Sequence, residues 1–247
     1  MNIKSKLVLA LLATSSAAFA QTAPAAPEVT YNVGVVSQYR YRGIAQTHGD
    51  AALQGGVDYA NANGFYAGAW GSTIKWIEDA APANKGKVEL DVYAGYKFEA
   101  AGLAYDVGYL RYEYVNNNIT PNANTDEVYG AVTLGAFTAK YSHSLSNLFG
   151  AVDSKGSTYI DLSANFDLGN GYSLVPHVGR QVVNNDTLDA NYTDYALTLN
   201  KDFGNGLTGS LSAISTNAKA GAGQFYRNAQ GYDMGKNTVV AGIKYGF

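Results

Sequence analysis

The chain has no cysteine, five prolines, two methionines and three histidines, and only 15% of its 247 residues are charged. Without cysteine there is neither a disulfide framework nor a thiolate metal site. A soluble domain ordinarily carries about 25% charged residues, so this chain is short of the side chains that keep a protein surface in water. Long apolar runs are also missing: after residue 20 none approaches the roughly 20 residues that a membrane-spanning helix needs. No phosphate loop, zinc spacing or calcium loop occurs either, and no cofactor is expected.

What the chain does contain is 28 glycines and 20 tyrosines at a mean hydropathy of −0.14. Sparse charge with abundant tyrosine suits a protein that crosses a membrane as strands, with a lipid-facing band between aromatic girdles. The start has the layout of a secretory signal peptide: Lys4 and Lys6, an apolar stretch from Leu7 to Ala18, and Ala18-Phe19-Ala20 as the cleavage site. Cleavage is expected after Ala20, which makes 1–20 the signal peptide, 21–28 a Pro/Ala-rich periplasmic spacer and 29–247 the folded unit. Loss of Lys4 and Lys6 from the 17 basic residues leaves 15 against 20 acidic ones, so no basic surface argues for nucleic acid.

From Val29 the chain alternates with a period of two. Val29, Tyr31, Val33, Val35, Tyr39 and Tyr41 share one parity, and Thr30, Asn32, Gly34, Gln38, Arg40 and Arg42 the other. The same pattern returns to the last stretch, where Val239, Ala241, Ile243, Tyr245 and Phe247 alternate with Thr238, Gly242, Lys244 and Gly246. Twelve such segments can be drawn. The connections after even segments are short, such as Asn61 to Gly64 and Gly204 to Gly206; those after odd segments are long and polar, such as Gly43 to Asp50 and Thr216 to Lys236. This alternation predicts an all-β fold: a transmembrane antiparallel up-and-down β-barrel of about 12 strands, with turns toward the periplasm and loops outside.

Aromatic residues sharpen the expectation. Tyr59, Phe65, Phe98, Tyr105, Phe137, Phe166, Tyr172, Phe203 and Phe247 lie near the short turns and predict one girdle; Tyr39, Tyr41, Tyr109, Tyr141 and Tyr195 lie near the long loops and predict the other. Trp70 and Trp76 have the opposite parity to Phe65 and are expected inside, or past a bulge. Pro176 falls within a strand that has no free edge, which predicts a bulge there or a different register.

The segment Val36-Ser-Gln-Tyr-Arg-Tyr-Arg-Gly-Ile-Ala-Gln-Thr47, together with Gln54-Gly-Gly-Val-Asp-Tyr59 and Gly64-Phe-Tyr-Ala-Gly-Ala-Trp-Gly-Ser72, resembles the TorF porin family, also called the Gcw_chp family. Asp106-Val-Gly-Tyr109, Glu127-Val-Tyr129, Ala139-Lys-Tyr141 and Lys201-Asp-Phe203 extend the resemblance over nearly the whole mature chain. It departs at Gln38, where an acid is expected, and at Ala45, where serine is. The resemblance implies an outer-membrane, porin-like protein and supplies no substrate. The closing Tyr245 and Phe247 also resemble the signal that the barrel-assembly machinery reads.

If the apolar parity faces lipid, the other lines the lumen. That places Arg40, Arg42, Lys87, Lys97, Lys140 and Lys244 inside, with Asp58, Glu89, Asp91, Asp106, Glu127, Asp161, Asp167, Asp194 and Asp202. Arg40 and Arg42, two apart, are the candidates for a constriction, or for binding anionic lipopolysaccharide at the rim. His177 points inward near Asp161, Ser163, Asp194 and Thr198, where it is a pore-lining residue or part of a hydrolytic dyad; no catalytic site is expected. The expected function is passive diffusion of small polar solutes or ions through the outer membrane. Lipid, lipopolysaccharide and the assembly machinery are the expected partners, and a homo-oligomer is compatible with this class. The alternatives are a non-conducting structural or interaction barrel and, third, a lipid-modifying enzyme.

Overall fold

The computed structural model describes residues 26–80 and 85–247. The expected signal peptide and residues 21–25 of the spacer lie outside the described residues. Along the chain come β1 (Glu28–Val36), β2 (Arg40–Tyr41), β3 (Ile44–Ala45), β4 (Ala52–Ala60), β5 (Phe65–Thr73), the helix α1 (Trp76–Ala80), β6 (Val88–Ala100) and β7 (Leu103–Val115). There follow β8 (Thr125–Leu134), β9 (Phe137–Ser144), β10 (Thr158–Ala164), β11 (Phe166–Gly169), β12 (Tyr172–Val182), β13 (Tyr192–Gly204), β14 (Leu207–Thr216) and β15 (Thr238–Gly246).

All of these strands except β2 and β3 belong to one sheet. Both β10 and β11 pair with β12 and are two halves of one wall strand, so the wall has twelve strands, as the alternation predicts. It closes because β1 pairs antiparallel with β15, Asn32 opposite Gly246 and Val36 opposite Gly242. Closure leaves no unpaired edge, which hydrocarbon would not tolerate.

Two solvents explain why these residues form these strands. Val33 (44% exposed), Val92 (48%), Leu162 (49%) and Ile243 (50%) stand on the outer face, a continuous apolar belt that water would penalise and lipid welcomes. Aromatic residues border the belt at the turn end: Phe98 stacks on Tyr105 at 5.0 Å, Phe137 meets Phe166 edge-on at 5.9 Å, and Phe247 stacks on Tyr31 and Tyr245 at 5.7 Å each. Tyr109, Tyr141 and Tyr195 border it at the loop end, all exposed on the outer face. The turn-end connections are two to four residues long, and the loop-end ones run from 9 to 21.

Pro176 produces a break rather than a bulge. Ser163 pairs with His177 and Phe166 with Leu174 in one unbroken register, and only the ladder at Ala164 and Asn165 is interrupted. A proline has no N–H to give that rung, and the strand resumes two residues later without slipping.

The first wall strand stops at Val36, short of the expected Tyr41. Ser37 supplies the reason: its N–H donates to Ala241 O at 2.8 Å, and its hydroxyl accepts from Ala241 N at 3.0 Å. A side chain has taken the acceptor role that the next backbone carbonyl would have played, and the chain leaves the wall. Tyr39 and Tyr41 therefore do not belong to the outer girdle; they are packed inside the barrel.

At the seam, the Phe247 N–H donates to Tyr31 O at 3.0 Å and Tyr31 N–H donates to Phe247 O at 2.8 Å. Two backbone bonds and two ring contacts hang on the last residue. Deleting Phe247 is expected to weaken the seam by about 2–3 kcal/mol and to lower the assembled fraction, read as the heat-modifiable band on a gel; Phe247→Tyr should restore it. Full assembly of the deletion variant would remove both a seam role and a signal role for this residue.

Candidate functional site

Residues 37–51, expected as the end of a strand and a solvent-facing loop, fold into the lumen. Their centre is a β-hairpin in which Arg40 pairs with Ala45 and Tyr41 with Ile44. The two residues between, Arg42 and Gly43, have φ of +47° and +78°. That is the twist of a two-residue hairpin turn, and glycine at the second place adopts it without strain. Arg42 does not: an L-residue held there costs roughly 1–2 kcal/mol, so something must hold it.

What holds it is on the far wall. Arg42 Nη1 and Nη2 donate to Glu127 Oε1 and Oε2 at 2.9 and 2.7 Å, a two-pronged ion pair in which both side chains are 3% exposed. Nη1 also donates to Gln181 Oε1 at 3.0 Å, and the guanidinium lies over the rings of Tyr159 at 4.2 Å and Tyr41 at 5.0 Å. Burial works against charge on Arg42, but the Glu127 carboxylate more than offsets it and its pKa is raised. Glu127 sits on β8, Gln181 on β12 and Tyr159 on β10, whereas the hairpin springs from β1 on the opposite side of the barrel. Arg42 thus carries the hairpin across the lumen.

Arg40 is fixed differently. Its Nη1 donates to Gly43 O at 3.1 Å and to Met234 O at 2.8 Å, and its Nε to Gln38 Oε1 at 2.9 Å. Gln38, where the family pattern leads one to expect an acid, still accepts from this arginine. Met234 O also accepts from Ala45 N at 2.8 Å. Met234 belongs to the long connection 217–237, whose Tyr226 packs with Ile44, Leu148, Val183 and Tyr192 as a lid over the hairpin. Neither arginine stands on the wall strand where the alternation put it.

The other charged residues fall into three groups. Around the hairpin tip, His177 lies between two acids, Nε2 at 2.8 Å from Asp194 Oδ1 and Nδ1 at 3.1 Å from Asp161 Oδ2; Tyr159 Oη donates to Asp194 Oδ2 at 2.9 Å. Tyr159 can reach because Gly179 makes room: a Cβ there would stand 1.8 Å from its hydroxyl. Lys140, also buried, has its Nζ 3.9 Å from the Tyr129 ring. Beneath the hairpin's stem, Tyr39 Oη donates to Glu89 Oε1 at 3.1 Å, and Asp91 follows on the same face of β6. Toward the turns, Tyr93 Oη donates to Asp58 at 2.5 Å, Tyr66 Oη donates to Asp106 at 2.6 Å and is bonded to Tyr129, and Lys97 Nζ lies 5.0 Å from the Tyr66 ring. Lys244 is buried on β15.

Three placements differ from the sequence reading. Lys87 precedes β6 and pairs with Glu78 at 3.2 Å outside the lumen, its side chain 66% exposed. Asp167 and Asp202 accept the backbone N–H of Gly169 and Gly204 at 2.8 and 2.7 Å, and shape turns. Trp70, by contrast, points inward as its parity predicts, edge-on to Tyr39 at 5.6 Å, and Trp76 opens the short helix and meets Tyr114. Sequence reasoning did not single out Gln181, Tyr159, Tyr112 or the Met234 carbonyl as partners. Among the loops, His48 Nδ1 lies 2.8 Å from Asp79 Oδ2, which Asn228 Nδ2 also reaches at 3.1 Å.

Burial changes along the lumen. Toward the loops, Glu89, Tyr112, Glu127, Tyr159, Asp161 and Asp194 are buried; toward the turns, Asp58, Lys97, Asp106, Thr133, Ser163 and Asn200 are half-exposed. The barrel is filled at one end and lined with accessible polar groups at the other.

A closed twelve-stranded antiparallel barrel with an apolar exterior and a polar interior is the fold of porins. Two solved porins share it: the KdgM porin, solved in complex with disordered oligogalacturonate, at 7% identity over 89% of this chain and 98% of that one (TM-score 0.53), and the NanC porin, at 11% identity over 88% and 99% (TM-score 0.54). At such identities the likeness is one of fold. The sequence model of the Gcw_chp family, described as a bacterial protein of unknown function, matches residues 20–247, and the chain belongs to that family. No curated protein matches the sequence.

Proposed function

We propose that this chain is an outer-membrane, porin-like channel for the passive diffusion of small polar solutes or ions, of the type that the TorF label denotes. The observation that carries the reading is the pairing of two faces: an unbroken apolar belt outside, and inside it Asp58, Lys97, Asp106 and Asn200, half-exposed toward the turns. Polar groups that line water tune what passes. In this reading the lumen residues Asp58, Asp91, Lys97, Asp106, Lys140, Asp161, His177, Asp194 and Lys244 line or border the path, and Glu89 and Glu127 meet the hairpin that narrows it.

A hydrolytic role for His177 has less support. Both of its ring nitrogens face carboxylates. A general base needs one nitrogen oriented by an acid and the other free to take a proton from a nucleophile.

A non-conducting barrel is the second reading, favoured by the buried hairpin. Purified protein in a planar bilayer separates the two: the channel reading predicts discrete conductance steps, and their absence at every voltage, in protein that passes the gel test of folding, would sink it.

A further inference from the structure

The hairpin fills the loop end of the lumen without being part of the wall. β2 and β3 pair only with each other, so the hairpin can leave without breaking one rung of the barrel. Its outward backbone bonds go to other loops: Ala45 N to Met234 O, and Lys75 N and Trp76 N to Gln46 O. It meets the wall through side chains, namely Tyr39 with Glu89, Tyr41 with Tyr112, and Arg42 with Glu127 and Gln181. Of these the Arg42–Glu127 pair alone is a two-pronged, fully desolvated ion pair, and it spans the lumen from one side to the other. Arg42 is also the residue held in a left-handed backbone conformation. Backbone strain persists where surrounding contacts impose it, and here those contacts are the Glu127 carboxylate and the Tyr159 ring.

We propose that the hairpin Arg40–Ala45 is a latched plug: the pairing of Arg42 with Glu127 holds it across the lumen, and its withdrawal toward the loop side opens the barrel. The proposal rests on the channel reading above. Met234 O binds both Arg40 and Ala45, so withdrawal toward the loop side breaks these two bonds and leaves the lid behind. Between Tyr39 and Thr47 the charged residues are Arg40 and Arg42, with no acid among them. A plug of two positive charges moves in an electric field, and the direction is set: a potential positive on the turn side drives it out toward the loops.

The absence of cysteine makes the test clean. A single Ala45→Cys reporter, at a position 1% exposed, is placed in vesicles and treated from the loop side with a membrane-impermeant thiol reagent. Labelling should be slow in the otherwise unchanged chain and at least about tenfold faster once Arg42→Ala or Glu127→Gln is added. In a planar bilayer, 100 mV positive on the turn side should raise the open probability by about tenfold over the reverse polarity. A chain in which Arg40–Ala45 is replaced by two glycines should conduct at both polarities. Unchanged labelling in both latch variants, in folded protein, overturns the latch. A shortened chain that conducts like the parent overturns the plug and leaves the channel reading standing. Faster labelling with no current in any variant supports the latch and removes the channel reading.

Discussion

Leu199→Arg is expected to destabilise the barrel by about 2–4 kcal/mol, whereas Asn200→Lys, one residue further on, should change stability by less than about 1 kcal/mol. The contrast follows from parity. On β13 the outward residues are Tyr195, Leu197, Leu199, Lys201 and Phe203, and Leu199 stands midway between the loop-end Tyr195 and the turn-end Phe203. Eight residues at about 3.4 Å each, tilted by roughly 40°, put those two aromatics about 20 Å apart along the membrane normal, close to the height of a lipid-facing band. An arginine at Leu199 therefore lies near the midplane, out of reach of either headgroup layer. Asn200 faces the lumen and is half-exposed, with a bond from its Nδ2 to Ser173 Oγ at 3.3 Å, so a cation there meets water. Urea unfolding in lipid vesicles, followed by the fluorescence of Trp70 and Trp76, gives both values. If the costs came out reversed, the assignment of lipid and lumen faces would be inverted.

That parity was legible in the sequence because each wall strand touches two solvents of opposite character, so every second residue reports its surroundings. The twelve strands, their short turns and the faces of Glu127, Asp161, His177 and Asp194 all follow from it. The infolded hairpin does not. Tyr39 and Tyr41 keep the parity of Val29 through Val35, because a hairpin packed in a lumen also has one face against aromatics and one against polar groups. Two local marks were present: Ser37, whose hydroxyl can end a ladder, and the Arg42–Gly43 pair, suited to a reverse turn. Neither is decisive, since serine and glycine occur throughout the strands. Nor could any local pattern show which charges meet, because Arg42 finds Glu127 at a separation of 85 residues and Gln181 at 139. Closure of the barrel makes those contacts, and closure is a property of all twelve strands at once. The place of the connection 217–237 is likewise settled by tertiary packing and not by local pattern, through Tyr226 and Met234 against the hairpin's Ile44.

Arg42→Ala should show how the barrel answers the loss of its central ion pair. Leaving Glu127, 2% exposed, without its cation and with only the Tyr112 hydroxyl donating to it at 3.1 Å, would cost about 3–5 kcal/mol if the surroundings stayed rigid. The wall cannot relieve that cost, because β8 is paired on both sides, to β7 and β9. The hairpin can, since its departure lets water reach the carboxylate. The loss is therefore expected in the hairpin and not in the wall: amide exchange at Ala45 and Gln46, whose N–H groups bond to Met234 O and Tyr39 O, should quicken by a factor on the order of 10²–10³, while the urea midpoint of the barrel stays within about 0.5 M. Arg42→Met combined with Glu127→Leu removes both charges and should retain most of the protection, because apolar side chains of similar volume avoid the desolvation that the pair had to overcome. A lower barrel midpoint with unchanged exchange at Ala45 would mean that Arg42 braces the wall itself.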